Sequence, residues 1–224
     1  MYYLLLIAIL ALSLICRGRV QRVFNRYAEL PGQRGVTAAE AARQMLSDNG
    51  CNTALARVSG DLTDHFNPAK NTVGLSAAVY DSVSVAALAV AAHEIGHVCQ
   101  HKEGYAPLSL RTSILPVAKA GSTAGPYIII AGLLVQSTVI AKVGIYLYAA
   151  MLLFQIVTLP VEFNASRRGL AMLRQGGYVA ESDMPAAQEV LRAAAMTYVL
   201  SALGTLASLL RYISMVQSSS KRKH

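Results

Sequence analysis

Four long apolar stretches are the feature that most constrains the fold of this 224-residue chain. They cover residues 3–16, 120–141, 143–161 and 193–210. Runs of this length favour helices in lipid, although the first is short for a full span unless Met1 and Tyr2 extend it. The chain is 54% hydrophobic and only 14% charged, which is typical of membrane helices with a modest soluble portion attached. We therefore expect a multi-pass membrane protein with three to four transmembrane helices.

The distribution of basic residues bears on both partners and topology. The chain has a net charge of +8, which by itself is compatible with nucleic-acid binding. However, its arginines gather directly after apolar stretches, between Arg17 and Arg26 and between Arg167 and Arg174. Membrane proteins place basic residues in this way on the cytoplasmic side. We therefore expect contact with the lipid bilayer, no nucleic-acid partner, and both clusters in the cytoplasm.

The last apolar stretch leaves one topological question open. If all four stretches crossed the membrane, the tail Lys221–Lys223 would lie outside, against the preference of basic residues for the cytoplasm. Either residues 193–210 do not cross fully, or the tail charges contribute little to the orientation.

Residues 17–112 contain most of the acidic side chains and are predicted to be soluble. Thr37 is in position to cap a short helix that ends at Asn49-Gly50. Residues 52–59 and 71–76 have the composition of short strands, separated by a polar loop at residues 61–70. A helix is predicted from about Ser82 to Gly104.

This last helix contains the sequence His-Glu-Ile-Gly-His at residues 93–97. Residues four apart share one face of a helix, so His93 and His97 can reach a single ion. Glu94 is one step round from His93, where its carboxylate can contact the water on that ion. The helix is apolar up to this point, and two imidazoles and a carboxylate are costly there unless a ligand satisfies them. The pattern predicts a hydrolytic zinc site.

Such a site needs a third protein ligand and one open position. His101 continues the same helix face, but ligands on three consecutive turns spread over about 12 Å, too far for one ion. Glu162 fits best, because the two preceding apolar stretches cross the membrane and return it to the side of His93. It follows Pro160, near the predicted start of a new helix. Ser166, one turn further, is a candidate support for a ligand.

At these motifs the sequence resembles the bacterial neutral zinc metallopeptidases of the YugP type. The resemblance rests on residues 89–100 (AVAAHEIGHVCQ) and 159–168 (LPVEFNASRR), with upstream DHFNP at 64–68 and TVGLS at 72–76. It implies a Zn²⁺ cofactor held by His93, His97 and Glu162, with Glu94 as catalytic base. The wider gluzincin class has an Asp one turn after its ligand Glu, where this chain has Ser166. Asp81 and Asn164 are therefore open as partners of the zinc histidines.

The expected fold is a mainly α integral membrane protein with a zincin-like α+β catalytic portion that contains a short edge strand. We expect five segments along the chain. They are an N-terminal membrane anchor (1–18), a catalytic portion (19–112), a transmembrane hairpin (113–161), a helix with the third zinc ligand (162–192), and a C-terminal membrane helix with a basic tail (193–224).

The expected function is cleavage of membrane-associated or unfolded proteins in the bacterial inner membrane, with a cytoplasmic active site. Glu94 would act as general base toward a zinc-activated water. Candidates for stabilising the transition state are His65, Tyr80 and Arg167. A substrate backbone would pair with an edge strand formed by Thr72, Val73, Gly74, Leu75 and Ser76.

Two other functions remain open at this stage. One is an intramembrane site-2-type protease, which would need an Asp ligand in a later apolar stretch, and this sequence has none there. The other is an inactive, zinc-stabilised membrane adaptor, which would be free to lose Glu94. A protein or peptide substrate is the expected partner, and a homo-oligomer or an adaptor protein is possible.

Overall fold

The computed structural model describes residues 2–221 of the chain, and in them it forms seven helices and three strands. The prediction of a mainly α membrane protein with a small sheet is confirmed. The elements, in chain order, are α1 (Tyr2–Tyr27), α2 (Ala38–Asp48), β1 (Ala54–Val58), β2 (His65–Asn67), β3 (Thr72–Ser76), α3 (Ala77–Tyr80), α4 (Val85–Lys102), α5 (Ala106–Leu134), α6 (Thr138–Gln175) and α7 (Met184–Lys221).

The chain divides into two compact units. One, the helical unit, comprises residues 1–15, 106–160 and 197–224, and the other, the mixed unit, comprises residues 16–105 and 161–196. Three of the described helices, α5, α6 and α7, are long and apolar enough to cross a membrane. The predicted N-terminal anchor lies in α1, and its insertion remains a prediction.

Within the helical unit, α5 and α6 pack as a close antiparallel hairpin. A Cβ on Gly121 would collide with the backbone of Leu147, and one on Gly132 would collide with that of Ala141. Small residues at such crossings let membrane helices approach closely. Helix α7 packs on this hairpin, where the ring of Tyr212 meets that of Tyr148 edge to face at 5.4 Å.

The turn of this hairpin is not where the sequence predicts it. The expected break lies at residue 142, but α5 ends at Leu134 and α6 begins at Thr138. Gln136 has a φ of 54°, and the Ser137 N–H donates to the Gly132 carbonyl at 2.8 Å. These contacts close the last turn of α5. Apolar residues continue on both sides of the turn and hide it in the hydropathy pattern.

The start of helix α6 also differs from the sequence-based prediction. A new helix was predicted to begin near Pro160, but Pro160 lies inside α6, which is continuous from Thr138 to Gln175. Proline removes one backbone donor, and long membrane helices tolerate this because neighbouring groups satisfy the freed carbonyl. The helix ends as expected, with Gly177 in the left-handed region at a φ of 61°. Glu162 therefore lies in the interior of a continuous helix and not at the start of a new one.

The mixed unit is built around α4. Ser84 caps this helix by accepting from the Ala87 N–H at 3.2 Å, and most residues from Val85 to Ala92 are almost fully buried. Helix α2 packs beside α4 and starts at the predicted Thr37, which forms a capping box with Glu40. The helix that carries the histidine motif is thus the centre of a hydrophobic core.

The three-stranded sheet has the order β1-β3-β2. Strand β3 pairs in parallel with β1 and antiparallel with β2, so its main chain is bonded on both sides over Thr72–Gly74. Over Thr72–Gly74 the strand predicted to pair with a substrate is therefore the central strand of the sheet and not an edge. The edge strands are β1 and β2, and β2 lies within residues 61–70, the stretch for which the sequence predicts a polar loop.

Candidate metal centre

Two glycines allow α4 and α6 to approach closely within the mixed unit. A Cβ on Gly96 would lie 2.5 Å from the Ala165 carbonyl oxygen. A Cβ on Gly169 would lie 2.9 Å from the carbonyl carbon of Ala92. Both distances are shorter than ordinary contacts, so any larger side chain would push the helices apart. The site described below lies at this crossing.

Three side chains converge there, two from α4 and one from α6. The Nε2 atoms of His93 and His97 lie 3.2 and 3.7 Å from the same Glu162 oxygen, Oε2. The two imidazole rings meet edge to face, with centroids 4.7 Å apart. One ligand atom from each residue lies within 4.8 Å of the others. Spacing along α4 brings the histidines together, and the crossing of α6 adds the carboxylate.

The opposite ring nitrogens of both histidines are engaged. His93 Nδ1 lies 3.1 Å from Ser166 Oγ, and His97 Nδ1 lies 3.0 Å from Gln100 Oε1. When Nδ1 carries the hydrogen and donates it, Nε2 is left with the lone pair that a metal requires. Both histidines therefore point their ligand atoms toward Glu162 and their support atoms away from it.

This donor set fits a zinc ion. Two imidazole nitrogens and a carboxylate oxygen are the protein ligands of catalytic zinc sites, which keep a fourth position open. The imidazoles are 16% and 12% exposed and the Glu162 side chain is 4% exposed, so the ligands are shielded but the site is not sealed. His93, His97 and Glu162 would hold the ion.

Glu94 lies in the same buried environment. Burial raises the pKa of the Glu94 carboxyl, partly offset by the two histidines, while the charges of Glu162 and Asp64 raise it further. Burial by itself lowers the pKa of His97, but its bond to Glu162 and the two carboxylate charges outweigh this and raise the pKa. The Glu94 carboxyl therefore binds a proton more strongly than an ordinary glutamate does, and it lies beside the three candidate ligands.

The remaining predicted residues lie in different places. His65 is exposed, and its Nδ1 lies 2.8 Å from the Thr63 carbonyl oxygen. The Tyr80 hydroxyl accepts from Arg43 at 2.7 Å, and Arg167 is exposed on α6. Asp81 and Asn164, the two candidate partners of the zinc histidines, contact other residues instead. Asp81 pairs with Arg57 at 2.8 Å, and Asn164 contacts Gln100 at 2.9 Å.

Gln100 is a further candidate partner of the zinc histidines, and it was not predicted from the sequence. Its side chain is completely buried and contacts His97 directly. The available signal was its spacing, since residues three apart lie on the same helix face. A glutamine at that position is unusual in a core unless its amide is satisfied.

Comparison with known proteins agrees with this geometry. The sequence pattern of the family described as "Putative neutral zinc metallopeptidase" matches residues 2–217. The chain is 39% identical over 214 residues to a Bacillus subtilis (strain 168) protein named "Putative membrane protease YugP", and the similarity covers 95% of each chain. No solved structure matches the chain. The match extends through both ligand-bearing helices, and the chain belongs to the neutral zinc metallopeptidase family.

Proposed function

We propose that this protein is a zinc-dependent endopeptidase that cleaves membrane-associated or unfolded proteins. The observation that carries the proposal is the convergence of His93 and His97 Nε2 on one oxygen of Glu162, with Glu94 buried beside them. Two imidazoles and a carboxylate on two helices form an open metal site, and the adjacent carboxylate supplies a base.

The residues divide the work of peptide hydrolysis. Zinc, when bound, supplies Lewis acidity toward the scissile carbonyl and acidifies water. Glu94 takes the proton from the attacking water and later delivers it to the leaving amine. The raised pKa of the Glu94 carboxyl strengthens its hold on the proton that it takes from the water. Ser166 and Gln100 hold the histidines in the required tautomer.

We place the substrate backbone along the free edge of β2, not along β3. β2 is an edge strand, so one side of its main chain is available for pairing with an extended peptide. Asp64, directly before β2, is close enough to raise the pKa of Glu94. The ring of Phe66 meets that of His101, one turn beyond His97, at 5.6 Å. These contacts support a peptide path past the base.

The cytoplasmic side of the bacterial inner membrane is the proposed location of the active site. Support comes from the two arginine clusters, Arg17–Arg26 and Arg167–Arg174, which membrane proteins place in the cytoplasm. The second cluster follows the ligand Glu162 on the same helix. Proteins associated with that membrane face, or unfolded near it, are the accessible substrates.

The test is a casein cleavage assay with detergent-purified protein, with and without a chelator. Glu94→Gln should retain zinc and lose cleavage, because the amide cannot accept the proton. Glu29→Gln, at an exposed carboxylate, is the matched control and should cleave as wild type does. Cleavage by Glu94→Gln at the wild-type rate would refute the base assignment. Zinc binding without any cleavage by the wild type would favour an inactive adaptor instead.

A further inference from the structure

Gln100 connects the two helices of the site through a single amide. Its side chain is completely buried. On the α4 side, its Oε1 lies 3.0 Å from His97 Nδ1. On the α6 side, its Nε2 donates to the Val161 carbonyl at 2.8 Å and to Asn164 Oδ1 at 2.9 Å. Both amide hydrogens are used, so the group is fully satisfied in a place where an unsatisfied one would be costly.

The Val161 carbonyl determines which way this amide points. A main-chain carbonyl can only accept a hydrogen bond, so the nitrogen of Gln100 must face Val161 and its oxygen must face His97. That oxygen can only accept, so His97 Nδ1 must carry the hydrogen. The lone pair of the ring then lies on Nε2, the atom that points to Glu162. The backbone of α6 thereby selects the metal-binding tautomer of a histidine on α4.

The same amide fixes the second helix next to its ligand. Val161 directly precedes Glu162, so the bond from Gln100 anchors the backbone at the point where the carboxylate ligand leaves α6. One side chain therefore controls the ring of one ligand and the backbone position of another.

A series of side-chain hydrogen bonds supports the Gln100 amide on the side away from His97. Asn164 Oδ1 accepts from Gln100 Nε2 and also from Arg168 Nε at 2.7 Å. The Arg168 guanidinium makes two bonds of 2.6 Å to the carboxylate of Glu103, the C-cap residue of α4. This series of hydrogen bonds thus starts at Gln100 on α4, passes through two residues of α6, and ends at the C-cap of α4. The two parallel bonds between Arg168 and Glu103 fix the orientation of the guanidinium. Because Glu103 is exposed to solvent, they add little to stability.

We propose that Gln100 is a positioning residue for the metal site, which sets the His97 tautomer and fixes the α6 backbone beside Glu162. Asn164, Arg168 and Glu103 support it. This inference rests on the proposed function only in that the site must bind zinc. It assigns the support of His97 to a neutral amide, in the same way that His93 is supported by the Ser166 hydroxyl.

The experiment compares Gln100→Met, which keeps the side-chain length and removes every hydrogen bond, with the full-length wild type in detergent. Gln44→Met, at an exposed glutamine of α2 that bonds only its neighbour Asp48 in the described hydrogen bonds, is the matched control. Zinc affinity is measured by competition with a chromophoric chelator. Unfolding of the zinc-free proteins tests folding, and ¹⁵N-histidine NMR of the zinc-loaded proteins reports the hydrogen on His97 Nδ1.

Gln100→Met should bind zinc about 10- to 100-fold more weakly, the usual effect of removing a partner of a metal ligand. It should also lose the protected Nδ1 proton signal of His97, which a purely structural role would leave in place. Asn164→Ala, at a half-buried site, should shift zinc affinity in the same direction by less, and it provides the test if Gln100→Met does not fold.

The outcomes separate this proposal from the proposed function. If the wild type binds zinc tightly and Gln100→Met or Asn164→Ala binds it equally well with the His97 signal retained, the positioning role is refuted. If the wild type itself binds no zinc, the proposed function fails and the positioning role fails with it. Weaker zinc binding by Gln44→Met as well would assign the loss to a general effect and overturn the proposal.

Discussion

Replacing Gly96 with alanine adds one methyl group at the crossing of α4 and α6. The new Cβ would lie 2.5 Å from the Ala165 carbonyl oxygen and 3.1 Å from the Ala165 Cα, whereas ordinary contact begins at 3.4 Å. The two helices must therefore separate locally by about 1 Å. Metal sites tolerate deviations of only about 0.2 Å in ligand distances. A shift of this size would lengthen the distance from Glu162 to an ion held by His93 and His97 beyond that tolerance.

The expected loss of stability in Gly96→Ala is estimated by comparison with a second glycine. Gly18, in α1, has no atom within 4 Å of an added Cβ, so Gly18→Ala should stabilise the protein by about 0.5–1 kcal/mol through helix propensity alone. Gly96→Ala receives the same benefit but adds an overpacking cost of about 1–3 kcal/mol. Gly96→Ala should therefore be less stable than Gly18→Ala by about 1–3 kcal/mol, and its zinc affinity should be at least about tenfold lower.

Thermal unfolding of both variants in detergent, without and with zinc, measures the stability difference, and chelator competition measures the affinity. Gly169→Ala approaches the same crossing from α6 and should behave like Gly96→Ala. If Gly96→Ala and Gly18→Ala unfold at the same temperature and bind zinc equally, the helices do not depend on these glycines, and the packing argument is wrong.

Three further predictions concern the same unit. Ser166→Ala removes the oxygen that contacts His93 Nδ1, and chelator competition should find zinc affinity reduced about tenfold, while unchanged affinity would show that the hydroxyl is dispensable. Excess EDTA should lower the unfolding temperature of the wild type, because free zinc at a hundred times its Kd stabilises a protein by about 2.7 kcal/mol; Glu162→Gln should abolish most of this difference. Asp64 is a half-buried carboxyl, and its partial burial raises its pKa against the opposing hydrogen bonds from Ser76. Its folded state holds the proton more tightly than its unfolded state, so its contribution to stability is full below the ordinary Asp pKa of about 3.9 and is lost as pH rises through the raised value. Zinc-free wild type should therefore gain stability relative to Asp64→Asn as pH falls through that raised value toward the ordinary Asp pKa of about 3.9, and a pH-independent difference between their unfolding temperatures would contradict this.

The parts of the site that follow from local periodicity could be predicted from the sequence. His93 and His97 share a helix face because of their spacing, and the buried apolar run before them marks the helix as central. Glu162 could be proposed because two apolar stretches separate it from the histidines. The elements at Thr37, residues 54–58 and residues 72–76 also follow from caps and turn residues.

The parts that depend on contacts between distant segments could not be predicted. Strand β2 has only three residues in a polar stretch, and its pairing with β3 determines that it is a strand at all. Pro160 is typical of a helix start, but α6 is continuous through it. The spacing of Gln100 from His97 places both on one helix face, but the contact of Gln100 with the Val161 carbonyl, 61 positions later in the chain, could not be predicted. Local periodicity thus predicts the two histidines, whereas the contacts between α4 and α6 depend on long-range packing.

The division of the ligands between α4 and α6 has a consequence for biosynthesis. His93 and His97 are synthesised first, and Glu162 follows some 65 residues later, after the whole of α5 and most of α6. A nascent chain that has been synthesised only as far as α4 therefore holds two of the three candidate ligands and lacks the Val161 carbonyl that Gln100 binds. Because chains emerge at about 5–20 residues per second, this interval lasts several seconds. The order of the elements thus delays assembly of the metal centre until the membrane hairpin has been made.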